Sequence, residues 1–175
     1  TLRRVLQEIV DSMRTHGARR FLFLNGHGGN LPALEQVALK LNSQGDLGII
    51  ANWWQMAKEL DPAWDGGHGG GEETAAMLAI CPQAVHLERC RESMLKPLSE
   101  RITTTGFKTV QFKGVTLTMP QSIAAICDNG WTGPDHPATA SASWGEAMLE
   151  AISQLLVQLI DELKHIPLGE SHEIR

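Results

Sequence analysis

Two short apolar runs, FLFL at residues 21–24 and LGIIAN at 47–52, constrain this 175-residue chain most, because helical periodicity flanks or separates them. A run with no polar face suits a strand covered on both sides. Short buried strands alternating with helices build a layered α/β sheet. Ahead of the first run, Leu2, Val5, Leu6, Ile9, Val10 and Met13 recur at helical spacing and Gly17 marks a stop, which predicts a helix near residues 2–16. A helical pattern resumes at 32–41, so residues 21–52 read as a βαβ unit. The loops leaving the carboxyl ends of parallel strands line the ligand crevice of such units. NGHGGN at 25–30 and the ANWW segment both begin at such ends.

Further along, DPAWDGGHGGGEETAAMLAICP opens as a loop, turns helical around Glu72 and stops near Pro82. Residues 101–119 are rich in Thr, Val and Phe with glycine punctuation, as in a hairpin or extended flap. After the turn-rich DNGWTGPDHPAT, an amphipathic helix is expected from about Ala138 to Lys164. No repeat or linker interrupts the chain, and its length and 42% apolar content suit a single domain spanning residues 1–175.

Charge and cysteine usage narrow the function. A formal net charge of -5 without a cluster of Lys or Arg argues against nucleic acid and favours a small-molecule partner. Three cysteines without a CxxC pair suggest neither a disulfide framework nor a zinc ribbon, and a reducing compartment fits them. With no apolar stretch long enough to cross a bilayer, and an amphipathic rather than signal-like start, the expected location is cytoplasmic, with no membrane partner. The chain opens without Met, directly on a helix pattern, so its true beginning is expected to lie upstream.

Three places compete for chemistry: His27 within NGHGGN, His68 within GGHGGGEE, and the Glu72–Glu73 pair that opens the next helix. Imidazole is a common metal ligand and a general base near neutral pH, and carboxylates serve as ligands or as acid and base. Two histidines and a carboxylate at one site would suffice for metal-assisted hydrolysis. Plainer roles compete with each reading. A histidine in a glycine turn can simply bond its own backbone, and carboxylates in a first helical turn suit the helix dipole, which for Glu72 is the better account. Packing is the default for Trp53 and Trp54, whereas Trp64, in a Pro/Gly-rich loop, reads as a pocket wall. NGHGGN lacks the Lys of a P-loop and the G-x-G-x-x-G of a dinucleotide site, and no G-x-S-x-G elbow is present.

NGHGGN at 25–30, WDGGHGGGEET at 64–74 and GPDHPATAS at 133–141, in this order and spacing, resemble the creatininase (creatinine amidohydrolase) family over essentially the whole chain. The resemblance implies a three-layer α/β/α fold with a mainly parallel central sheet. It also implies a hydrolase that opens cyclic or linear amide bonds of a small-molecule substrate with a divalent metal, zinc, manganese or iron. By that likeness His27 is a metal ligand, Glu73 lies on or near the metal, His68 transfers a proton, and Trp64 and Asp65 line the substrate pocket. A homo-oligomer is expected, both from the family and because a sheet lacking a strand exposes an edge. The chain departs from the pattern in two respects. Gly28 and Gly29 stand where members acting on creatinine carry a bulky residue and a glutamate, which points toward the family's deformylases and peptide-trimming enzymes. The family's remaining ligands, a Glu, a His and an Asp, precede the first helix and have no equivalent here. The chain is therefore expected to be an incomplete enzyme, or a shortened homologue acting as a binding or scaffold module.

Overall fold

The computed structural model describes residues 1–169, which form two compact units, one of residues 1–59 with the chain from Ala151 onward, the other of residues 60–150. The first unit begins with helix α1 (Leu2–Thr15), followed by strand β1 (Arg20–Asn25), helix α2 (Leu31–Ser43), strand β2 (Leu47–Asn52) and helix α3 (Trp53–Leu60). β1 and β2 pair in parallel, Phe21 opposite Gly48 and Asn25 opposite Asn52, which is the expected βαβ unit. Two strands alone are marginal, so the helices must stabilise them. Val10 of α1, Phe21 of β1 and Val37 and Leu41 of α2 make the buried cluster that does so. Gly48 interrupts an otherwise apolar strand because α2 lies directly on it: a Cβ there would meet Ala38 Cα at 3.0 Å and Leu41 Cδ1 at 3.2 Å. At the opposite strand end, buried Asp46 binds Arg19 and, at 2.7 Å, Arg14 Nε.

The second unit carries helix α4 (Gly71–Ile80), strands β3 (Ile102–Gly106), β4 (Thr109–Phe112) and β5 (Val115–Thr118), and the short helix α5 (Ile123–Ile126). The expected hairpin is a three-stranded antiparallel meander, with every residue from 111 to 120 exposed. Helix α6 (Ala142–His165) starts in this unit and carries the chain into the first. It begins four residues later than the periodicity implies, because Pro137–Thr139 forms a 3₁₀ turn capped by His136, whose Nδ1 accepts from Ala138 N at 3.1 Å. Gly145 lets α6 touch α4, since a Cβ there would collide with the Ala75 carbonyl.

The expected mixed α/β architecture forms, but the parallel sheet is small. The described strands comprise one parallel pair and one antiparallel sheet of three. Thr-rich and Val-rich strands separated by glycine turns pair with their nearest neighbours in sequence, which yields antiparallel ladders. α3 was not expected either. No described helix is long and apolar enough to cross a membrane.

Candidate functional site

The NGHGGN loop is held by asparagines. Asn25, 2% exposed at the end of β1, donates through Nδ2 to Asn52 Oδ1 at 2.8 Å. Its own Oδ1 accepts from His27 N at 3.2 Å and from Asn30 Nδ2 at 3.3 Å. The two strand ends and the loop are thereby locked together. Trp53 and Trp54 serve the same loop: Trp53 Nε1 donates to Gly26 O at 3.3 Å, and a Cβ on Gly28 would lie 3.9 Å from the Trp54 ring. Both side chains thus stand against the loop that carries His27.

The His27 ring turns back on its own loop and stands nearest Gly29. Its Nδ1 accepts from Gly29 N at 3.0 Å, and a Cβ on Gly29 would sit 2.9 Å from that nitrogen. The plainer reading, a histidine bonded to its own turn, therefore describes this arrangement. A neutral imidazole whose Nδ1 accepts a hydrogen bond carries its proton on Nε2. Ligating a metal through either nitrogen would require the ring to give up the Gly29 bond. The side chain is exposed, with room to do so.

The second unit holds the other expected residues. Asp61 Oδ1 accepts from Ala63 N at 2.9 Å and starts the 3₁₀ turn Pro62–Trp64, which leaves Trp64 and Asp65 half-buried at the mouth of the GGHGGG loop. His68 follows, half-buried, its ring edge-on to Phe107 at 5.1 Å. The Phe107 contact comes from the β3–β4 turn. The two carboxylates divide their work in a way the sequence did not reveal. Glu72 is the buried one, at 2% exposure, and it folds back over Gly66, where a Cβ would lie 2.6 Å from its Oε2. Glu73 is half-buried and reaches back so that its Oε2 accepts from Gly69 N at 2.8 Å, resembling the reciprocal arm of a capping box.

Asp135, from GPDHPATAS, completes this loop. Its Oδ2 accepts from Glu72 N at 2.7 Å. Burial pushes its carboxyl above the ordinary aspartate range, while the N–H groups of Glu72, Asp135, Gly71 and Gly67 oppose that shift. Nearby, burial also works against ionising Cys127, yet the Ser93 hydroxyl, 2.8 Å from its sulfur, and the N–H groups of Asn129, Gly130 and Trp131 leave the thiol below its ordinary value.

The donors for a metal are few. Hydrolytic sites commonly use three protein ligands with an open position, but no group of three or more His, Cys, Asp or Glu among the described residues could hold an ion. With His27 Nδ1 committed to Gly29 and Glu73 Oε2 to Gly69, the residues in their present arrangement do not fit a complete metal centre. An open cavity of about 500 Å³ in the first unit, lined by Arg3, Arg4, Glu8 and Lys40 among others, includes none of the expected site residues.

Comparisons with known proteins agree with the motifs. The creatinine amidohydrolase of Pseudomonas putida is 34% identical over 108 residues, 51% of this chain and 41% of that protein. A mycofactocin precursor peptide peptidase of Mycobacterium tuberculosis (strain CDC 1551 / Oshkosh) is 30% identical over 135 residues, 77% of this chain and 45% of that one. This chain thus spans less than half the length of these curated relatives. Among solved structures, a Bacteroides fragilis protein of the creatinine amidohydrolase type shares the fold, with a TM-score of 0.69 at 24% identity, over 96% of this chain and 63% of the other. Creatininase structures of Zn-Zn type and with Mn superpose with TM-scores of 0.60 at 26% and 25% identity. The creatininase family, described as creatinine amidohydrolase, matches residues 1–160, and the chain belongs to that family.

Proposed function

We propose that this protein hydrolyses an amide C–N bond of a small molecule or short peptide, with His68 as the group that hands a proton to the departing nitrogen. One observation supports this most: His68 is half-buried on a loop whose backbone is pinned on both sides, and its ring is edge-on to Phe107. A positioned imidazole can deliver a proton near neutral pH. In this reading Trp64 and Asp65, half-buried at the same loop mouth, contact the substrate. Gly28 and Gly29 add no side chains to the first loop and favour a substrate bulkier than creatinine, in keeping with a relative that acts on a peptide.

A divalent ion, zinc, manganese or iron, belongs to the proposal, with His27 in the first unit and Glu73 in the second each a candidate ligand. His27 must release Gly29 to serve, and the remaining donors come from outside the described set, either from a longer chain or from a neighbouring subunit. The protein acts as a homo-oligomer in a reducing, cytoplasmic setting that suits its three free cysteines. A second reading, a non-catalytic binding module on the same fold, is favoured by the lack of a three-ligand cluster among the described residues.

Metal content by elemental analysis, together with hydrolysis of creatinine, N-formyl compounds and short peptides, separates the two. The hydrolase reading expects bound metal in the wild type, loss of metal in His27→Ala, and retained metal with turnover lowered about 100-fold or more in His68→Ala. Turnover that persists in a strong chelator would end it. A wild type that binds these compounds without cleaving them would establish the module.

A further inference from the structure

Helix α4 begins without a cap of its own. Its N-cap position is Gly70, which has no side chain to accept from the first-turn N–H groups. Such groups need acceptors when they leave water. Here the acceptor comes from 63 residues further along the chain: Asp135 Oδ2 takes Glu72 N at 2.7 Å. The glycines are the seat for this carboxylate. A Cβ on Gly70 would lie 2.7 Å from Asp135 Oδ1, and one on Gly71 would lie 2.6 Å from Oδ2. The adjoining turn grips the other side of the histidine, because Thr132 N donates to His68 O at 2.7 Å. Gly69 sits close beneath the same turn, where a Cβ would come within 3.1 Å of Gly130 O. His68 is therefore bracketed by Thr132 on its own carbonyl and by Asp135 four residues beyond, while Glu73 holds the Gly69 N–H between them.

We propose that Asp135 is a positioning residue: as a remote cap of α4 it fixes the glycine loop, and through it the direction of the His68 ring and the placement of Glu73. The effect on turnover rests on the hydrolase reading above; the effect on the loop does not. Three of the glycines in GGHGGG thus have an account in the fold itself: Gly70 and Gly71 make room for a carboxylate, and Gly69 for the 130–131 turn. The orientation of His68 is set by a residue that never touches substrate. Misplacing a reacting group by about 1 Å can cost about 100-fold in rate, so a loop made of glycines needs an external restraint.

Amide hydrogen exchange tests the cap without any substrate. The second residue of a helix has no intrahelical acceptor, so the Glu72 N–H of the wild type should exchange rapidly unless Asp135 holds it. Protection of about 100-fold or more in the wild type is expected, and an unprotected Glu72 amide would overturn the proposal even if no variant folds. In Asp135→Ala, exchange at Glu72 should quicken about tenfold or more, and the Cε1–H NMR signal of His68 should shift or broaden. Asp135→Asn, an equally good cap, should restore both. An unmoved His68 signal in Asp135→Ala, or Asp135→Asn as impaired as the alanine variant, would sink the idea. If the wild type hydrolyses a tested amide, Asp135→Ala should lower kcat about 10- to 100-fold with KM within threefold, and Asp135→Asn should recover it. A wild type without turnover overturns the hydrolase reading and leaves the exchange and NMR results to decide Asp135.

Discussion

Single side chains in this protein carry tasks that their residue types only suggest. Asn25 joins the two parallel strands to the His27 loop through three hydrogen bonds while almost wholly buried. Replacing it by alanine strands Asn52 Oδ1 and the His27 N–H, so Asn25→Ala should cost about 1–3 kcal/mol in urea unfolding and loosen the loop before it unfolds the unit. Asp135 gives a pH signature. Its folded carboxyl is held above the ordinary value of 3.8, chiefly by burial, so the native state binds that proton more tightly than the unfolded chain. The contribution is complete below the unfolded value and fades as pH rises through the folded one. Asp135→Asn should therefore gain stability relative to wild type between pH 4 and pH 7 in paired urea titrations. Equal differences at both pH values would contradict the direction of the shift.

Elements show which contacts are tolerant and which are not. α1 presents two apolar stripes. Val10 joins the core, whereas Leu2, Val5, Ile9 and Met13 are 42%, 46%, 51% and 48% exposed. The predicted helix, strand, helix and strand of residues 2–52 all form, with bounds shifted by a residue or two, since periodicity acts within each element. The α4–α6 contact is less forgiving. Gly145 faces the Ala75 carbonyl with no room for a methyl group. Gly145→Ala should push the helices apart and cost about 1–3 kcal/mol or more, read as a lowered urea midpoint. An alanine variant as stable as wild type would show that this contact is looser than it stands.

At the level of the whole molecule, β1 and β2 each have only one strand neighbour among the described residues, and Leu24 on β1 is 61% exposed. Bare strand edges and apolar stripes invite association. The homo-oligomer proposed above should appear in light scattering as a species larger than a monomer, and Val5→Lys with Ile9→Lys should reduce it. A monodisperse wild-type monomer at micromolar concentration would refute that.

Local pattern sufficed to locate α1, α2, α4 and α6, the parallel pair and both histidine loops, because apolar period, glycine stops and proline breaks act over a few residues. The family, too, was readable from three motifs. Chain packing settled the rest: that Glu72 rather than Glu73 is buried, that Phe107 meets His68, and that the glycines of GGHGGG seat an aspartate. Such contacts join residues as many as 63 positions apart. No periodicity or turn rule spans that distance; the contacts arise only when burial brings the segments together and each polar group takes the nearest partner.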